Sequence, residues 1–180
     1  MTIKSWLKHL INHLLGRPYF DNHIKYEQDT NTCFKIIRAN KRHVKAIHEL
    51  EKECFSDPWS IQSLKYEVTH PQSICLVAVN NKRVLGYISM RHILDEGHIN
   101  NIAVNVQARR QGIGQQLIET LISEAKIQGI TSFTLEVRSK NHDAISLYEK
   151  LGFETCGQRK DYYHTPTDDA LVMWRSEEDL

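Results

Sequence analysis

Apolar positions along the chain keep two different spacings, and the change from one to the other marks out its elements. Ile3, Trp6, Leu7, Leu10, Ile11, Leu14 and Leu15 recur at i, i+3, i+4 and i+7, which predicts an amphipathic helix over residues 3 to 15, ended by Gly16-Arg17-Pro18. A polar stretch, roughly 18 to 32, reads as a linker or a wrapped arm. From there the pattern is that of an α/β domain. A strand carries Phe34, Ile36 and Ile37, and a helix follows with Val44, Ile47, Leu50 and Cys54 turned inward. Asp57-Pro58-Trp59-Ser60 supplies an N-terminal cap and a proline allowed in the first turn of a short second helix. Two β runs, Ser73 to Val79 and Val84 to His92, are joined by Asn80-Asn81-Lys82, and a third runs from Ile99 to Val104. A long helix from about Gly112 to Gln128 shows Ile113, Leu117, Leu121, Ile122 and Ala125 at helical spacing. A strand over Ser132 to Val137, a helix from Asn141 to Leu151, and β runs at Phe153 to Gln158 and Ala170 to Trp174 complete the chain. Strands that first cluster and then alternate with helices predict a mixed sheet with helices on its faces. Two parts result, residues 1–33 and an α/β domain over 34–180.

Length and composition bound this picture. The chain has 180 residues, 41% hydrophobic and 25% charged, enough for one domain with a real core and unlike a disordered chain. No apolar stretch approaches the eighteen or more residues of a membrane span, and residues 1–15 lack the apolar run and cleavage site of a signal peptide. The formal net charge of +1 gives none of the basic excess of a dedicated nucleic-acid binder. It conceals a basic front end, with nine Lys and Arg (4, 8, 17, 25, 35, 38, 41, 42 and 45) against three acids (21, 27 and 29). Cys33, Cys54, Cys75 and Cys156 form no CxxC pair, which points to reduced thiols in a cytoplasmic protein. His9 and His13 are four apart, yet on a helix flank they read as interfacial residues, and no metal is expected.

Chemistry concentrates in the second half. Arg109-Arg110-Gln111-Gly112-Ile113-Gly114 lies between an apolar strand and a strong helix. Its glycines admit an anion close to the backbone, and the first-turn N–H groups, the helix dipole and two arginines attract it. It is neither a Walker A loop nor a dinucleotide GxGxxG. The plain alternative is a Gly-containing turn with two solvated arginines. In Leu135-Glu136-Val137-Arg138, alternation sets Glu136 opposite Phe133, Leu135 and Val137, which makes it a solvent-facing glutamate or a base. Tyr148, in a stripe with Ile145 and Leu151, is core filler or a proton donor beside the strand.

Taken together, Asn101-Ile102-Ala103-Val104, Arg109 to Gly114, Leu135 to Arg138, Asn141 and the run Ala144 to Phe153 closely resemble the GNAT acetyltransferase superfamily. Pro58-Trp59-Ser60, Arg159-Lys160-Asp161-Tyr162-Tyr163 and Asp169-Ala170 extend the resemblance to its RimI-type branch, the ribosomal-protein alanine N-acetyltransferases. It covers about residues 34 to 174. It implies the acyl-CoA N-acyltransferase fold with a mostly antiparallel sheet, and acetyl-CoA as co-substrate. It also implies that the backbone of Ile102, Ala103 and Val104 pairs with the pantetheine. Arg109, Arg110, Gln111, Gly112, Ile113 and Gly114 would take the pyrophosphate, and Asn141 would lie against the cofactor. Glu136 is implied as general base and Tyr148 as general acid. Trp59, Arg138, Tyr162 and Tyr163 are assigned to the acceptor groove. The acceptor so implied is a protein N-terminus, that of an alanine-initiated ribosomal protein.

That chemistry is physically coherent. An α-amino group has a reference pKa near 8 and lysine near 10.4, about 2.5 units or roughly 3.4 kcal/mol apart, so a carboxylate deprotonates the former more easily. The charge on the thioester oxygen needs a donor, most simply a backbone N–H of the splayed strand. Two rival readings share these residues: acetylation of a lysine side chain or a small amine, and a non-catalytic CoA-binding partner module. One departure stands out. The branch usually has a proline after the strand, where this chain has Val106 following Asn105, which predicts a less fixed loop. The front helix is expected to pack on the enzyme or dock to a partner rather than lie on a membrane.

Overall fold

The computed structural model describes residues 34–177. The front helix and the linker therefore lie outside the described residues. The order is β1 (Lys35–Arg38), α1 (Val44–Cys54), α2 (Ile61–Thr69), β2 (Ser73–Asn80), β3 (Arg83–Ile93), β4 (Glu96–Val104), a 3-10 turn (Val106–Ala108), α3 (Ile113–Ile127), β5 (Ser132–Arg138), α4 (His142–Lys150), β6 (Glu154–His164) and β7 (Thr167–Ser176). The strands form one seven-stranded sheet in the order β1-β2-β3-β4-β5-β7-β6. Every pairing is antiparallel except β4 with β5. The mixed, mostly antiparallel sheet expected from the sequence is what the chain forms.

Helices cover both faces of the sheet. On one, Ile74, Leu76 and Ala78 of β2, Ile88 and Met90 of β3, and Phe133, Leu135 and Val137 of β5 pack with Ile113, Leu117, Ile118, Leu121 and Ile122 of α3. On the other, Cys75, Val77, Tyr87 and Ala103 pack with Val44, Ile47 and Leu50 of α1 and Leu64 of α2. β2 is thus buried on both faces, which explains its unbroken apolar run Ile74-Cys75-Leu76-Val77-Ala78. Each fully buried leucine or isoleucine of α3 contributes about 1.5–3 kcal/mol of transfer free energy.

Several boundaries differ from the sequence reading. Ser60 caps α2, its side chain accepting from the Ser63 N–H at 3.0 Å, so Pro58 lies in the loop before the helix and not in its first turn. β4 begins at Glu96, well ahead of the apolar run. Gly97 is part of it because a side chain there would meet Met90 Sδ at 2.6 Å. The last two strands are much longer than their apolar cores, since β6 is an exposed edge strand paired on one side only. The loop at Asn105 is well fixed without a proline. Asn105 N–H donates to Leu85 O (2.8 Å), its Nδ2 donates to Glu53 (2.8 Å), and its Oδ1 accepts from the Gln107 N–H (3.1 Å).

Candidate active site

Parallel pairing between β4 and β5 runs only from Glu96–Ser132 to Ile99–Leu135. Beyond it β4 stays with β3, through Asn101–Ser89 to Val104–Gly86, while β5 stays with β7. The two strands part, and the backbone edges of residues 100–104 and 136–138 border an open wedge. A bulge starts the divergence. Ile99 faces Met90 and Asn101 faces Ser89, so Asn100 is an extra residue in β4. The bulge also reverses side-chain parity. Ile99 belongs to the α3 core, whereas Asn100 and Asn101 both turn toward α1 and α2. Ile102 and Val104 then fall against the α3 core and Ala103 against α1.

Two buried glutamates fasten this bulge. Glu51, fully buried on α1, accepts from Asn101 Nδ2 (3.0 Å), from the Trp59 N–H (2.8 Å) and from the Tyr87 hydroxyl. Burial, with the Glu51 carboxylate beside it, pushes the Tyr87 phenol well above its ordinary range, so it stays a donor. Glu67 on α2 accepts from Asn100 Nδ2 (2.9 Å), Ser73 Oγ (2.9 Å) and Arg91 Nε (2.9 Å), with Arg91 Nη2 at 2.7 Å.

At the end of β4, Arg110 (φ 61°) and Gly112 (φ 78°) take left-handed conformations that turn the chain into α3. Gly112 is the N-cap and offers no side chain, so the first-turn N–H groups of α3 are free of any cap. At Gly114 a Cβ would sit 3.5 Å from Leu147 and 3.8 Å from Val104, which places α3 close to both β4 and α4. Arg110 extends outward, with Asp143 3.9 Å away, while Arg109 Nε turns back to donate to Val104 O at 3.3 Å. Asn141 caps α4, its Oδ1 accepting from the Ala144 N–H at 3.3 Å. This uncapped, glycine-lined helix start at the mouth of the wedge fits a pyrophosphate.

Glu136 points away from the α3 core, as alternation predicts, but it is not solvent-facing: its side chain is only 8% exposed. Oε1 pairs with Arg159 Nη2 (3.1 Å) and Oε2 with His98 Nε2 (3.1 Å). His98 Nδ1 lies 3.0 Å from Thr134 Oγ1. Tyr148 on α4 is buried in the α3 core, edge-on to Phe153 at 5.7 Å. Burial raises its hydroxyl far above the ordinary tyrosine value, and the Tyr163 phenol adds to this. Tyr163 donates to Glu136 O (3.3 Å) and is pushed up to about 12, mainly by burial. Arg138 stacks over the Tyr163 ring at 4.2 Å and donates to Thr165 O (2.9 Å) and Pro166 O (2.8 Å) in the β6–β7 hairpin.

Glu136, Arg138, Tyr148 and Tyr163 thus form one group. Tyr162 stands beside it, edge-on to Tyr163 at 5.1 Å. Trp59 stands apart, in a cleft of about 1000 Å³ lined also by Lys41, Tyr66, Arg91 and Asn100. The loop before α2 is joined to the β6–β7 hairpin by a hydrogen bond from Ser56 Oγ to Thr165 O. Sequence reading missed Glu51, Glu67 and His98. The two glutamates carried a signal: each falls on the inward stripe of its helix, four after Ile47 and three after Leu64.

The match to the acetyltransferase (GNAT) family model spans residues 44–153. The chain belongs to the GNAT acetyltransferase family. Curated relatives within it include the putative ribosomal protein bS18-alanine N-acetyltransferase of Bacillus subtilis, 33% identical over 129 residues, 71% of this chain and 85% of the relative. The ribosomal protein bS18-alanine N-acetyltransferase of Escherichia coli K12 is 33% identical over 130 residues, 71% of this chain and 87% of the relative. The crystal structure of the E. coli ribosomal-protein-S18-alanine N-acetyltransferase superposes with a TM-score of 0.74 at 30% identity, covering 79% of this chain and 93% of that one. The RimI-type resemblance is borne out, and acetyl-CoA is the acyl donor of this GNAT family member. Among the described residues no helix is long and apolar enough to cross a membrane, and no cluster of three or more His, Cys, Asp or Glu could hold a metal.

Proposed function

We propose that the protein acetylates the α-amino group of an alanine-initiated ribosomal protein in the cytoplasm, with Glu136 as general base and Tyr148 as general acid. The observation that carries this reading is the place of Glu136: a nearly buried carboxylate on the strand edge where β5 leaves β4, held on both oxygens. Acetyl-CoA, when bound, supplies the acetyl group. The residues that would hold it are the α3 start with Arg109 to Gly114, the backbone of Ile102 to Val104, and Asn141. Glu136 takes the proton that the acceptor ammonium must lose to become a nucleophile. Tyr148 returns a proton to the departing thiolate. Burial raises its pKa, which keeps that proton in place at neutral pH until the thiolate departs. Arg138, Tyr162 and Tyr163 form the acceptor wall at the β6–β7 hairpin, and Trp59 borders the acceptor from the loop before α2, which Ser56 ties to that hairpin.

The test is thiol release from acetyl-CoA with a free alanine-initiated ribosomal peptide, its Nα-blocked lysine-containing twin, and small polyamines. Turnover is expected on the free terminus, falling about 10²–10⁴-fold in Glu136→Gln and in Tyr148→Phe. Turnover on the blocked peptide or the amines instead would move the acceptor to a lysine or a small amine.

A further inference from the structure

The two oxygens of Glu136 are held in different ways. Oε2 is held by His98, whose side chain is 44% exposed but is tied in place at both ring nitrogens, the other one meeting Thr134 across the β4–β5 pairing. Oε1 is covered from outside by Arg159, a side chain 55% exposed on the edge strand β6. An acceptor ammonium that gives its proton to Glu136 must reach a carboxylate oxygen, and the one behind a removable group is Oε1. We propose that Arg159 is a placeholder for that ammonium: its guanidinium closes Oε1 in the resting enzyme and is exchanged for the acceptor's amine on binding. The proposal rests on the reading of Glu136 as base.

The fold is built to aim Arg159 there. The register between β6 and β7 jumps from Arg159–Ala170 to Tyr163–Asp168, so residues 160–162 bulge opposite Asp169 alone. Asp161 is left-handed at φ 51°, and its N–H donates to Asp169 Oδ1 (2.9 Å) while Gln158 Nε2 donates to Oδ2 (2.7 Å). Asp169 thus clamps the bulge on both sides of Arg159. The Tyr162 ring, 43% exposed, has its centroid 5.5 Å from Arg159 Cζ and gives the displaced guanidinium a face to rest on. Arg138 cannot substitute at Oε1, because the Tyr163 ring and two hairpin carbonyls engage it.

As a positioning residue Arg159 acts on acceptor binding rather than on the chemical step. With acetyl-CoA saturating, kcat and KM for the alanine-initiated peptide are measured in wild type, Arg159→Gln, Arg159→Lys, Asp169→Asn and Glu136→Gln, each checked for folding by thermal unfolding. The acceptor KM of Arg159→Gln should fall about two- to fivefold, the scale of a half-exposed ion pair, with kcat changed less. Lys at 159 should return KM to near the wild-type value, and Asp169→Asn should fall between. Added ethylguanidinium should raise the KM of Arg159→Gln competitively with the peptide. An unchanged or higher KM in Arg159→Gln, or no competition by ethylguanidinium, with Glu136→Gln inactive, would overturn the proposal alone. Should Arg159→Gln not fold, a KM in Arg159→Lys far from wild type would do the same. Turnover near the wild-type rate in Glu136→Gln would overturn the base assignment itself, and the placeholder with it.

Discussion

Replacing Glu51 with alanine removes, in one step, the acceptor for donors from three parts of the fold. Tyr87 belongs to β3, Asn101 to the bulged β4 and Trp59 to the loop before α2. The Trp59 N–H lies in a loop and can turn to water. The Tyr87 hydroxyl cannot, since that residue is 0% exposed. An orphaned buried donor costs about 1–3 kcal/mol, and breaking a buried charged network about 3–5 kcal/mol in all, so Glu51→Ala should lose about 4 kcal/mol. For a chain of this size that lowers Tm by roughly 8–16 °C. Glu51→Gln keeps the shape and one carbonyl oxygen but presents an NH₂ where the second oxygen was, and should lose about half as much. The assay is urea unfolding followed by circular dichroism, run as a double-mutant cycle with Tyr87→Phe. In the wild type Tyr87→Phe removes a bond to a carboxylate and costs about 1.5–3 kcal/mol; in Glu51→Ala the hydroxyl is left with Asn101 alone, and its removal should cost clearly less. A loss under 1 kcal/mol in Glu51→Ala, or an equal cost of Tyr87→Phe in both backgrounds, would refute the reasoning.

Three further outcomes follow from other sites. Gly86→Ala would put a Cβ 2.9 Å from Ala103 O and 3.2 Å from Ile113, so β4 must shift at the wedge; about 1–3 kcal/mol of stability should go, together with a raised KM for acetyl-CoA in the thiol-release assay. Cys75, buried with its thiol pushed up to about 12 by desolvation, should resist an aromatic disulfide reagent at pH 8 until the protein is unfolded, whereas exposed Cys156 should react at once, as peptide mass spectrometry would report. At Glu177, burial works to raise the carboxyl pKa, but Lys126 and Arg175 prevail and hold it below the ordinary value. Its contribution to stability is therefore present above the unfolded pKa of about 4.3 and lost as the pH falls through the lower folded value. The destabilisation seen on Glu177→Gln at pH 7 should then vanish in strong acid, measured by urea unfolding across that range.

How legible these features were depended on whether they were local. The α3 stripe, the turn at Arg109 to Gly114 and the alternation that turns Glu136 from the core are all set by neighbours within a few residues, and the sequence displays them. The bulge at Asn100 is a different matter. Nothing in Ile99-Asn100-Asn101-Ile102 announces an extra residue, because the bulge exists only relative to Ser89 and Met90 on β3. The surroundings of Glu136 were hidden for the same reason. By itself it read as a solvated glutamate, and only the approach of Arg159 from β6 and His98 from β4 makes it a held carboxylate. Arg159 stood in a quoted motif without a partner, since its bulge depends on Asp169 of the opposite strand. The ends of β6 were blurred by its exposure, which relaxes the demand for alternating apolar residues, and the start of β7 by Asp168, a buried carboxylate where an apolar residue would have marked the strand.

The wedge between β4 and β5 also has a thermodynamic meaning. A sheet that opens along its middle leaves two half-ladders inside the molecule, each with donors and acceptors that another strand would ordinarily satisfy. Whatever molecule fills the gap and pairs with both rims acts as the missing strand and binds only the folded chain. The native state must therefore gain RT ln(1 + [L]/Kd) from it, about 2.7 kcal/mol at a hundredfold excess over Kd. Amide exchange should slow first at residues 100–104 and 136–138. In a cell, where the acyl donor's concentration varies, the lifetime of this protein against unfolding and proteolysis would rise and fall with the supply of its own substrate.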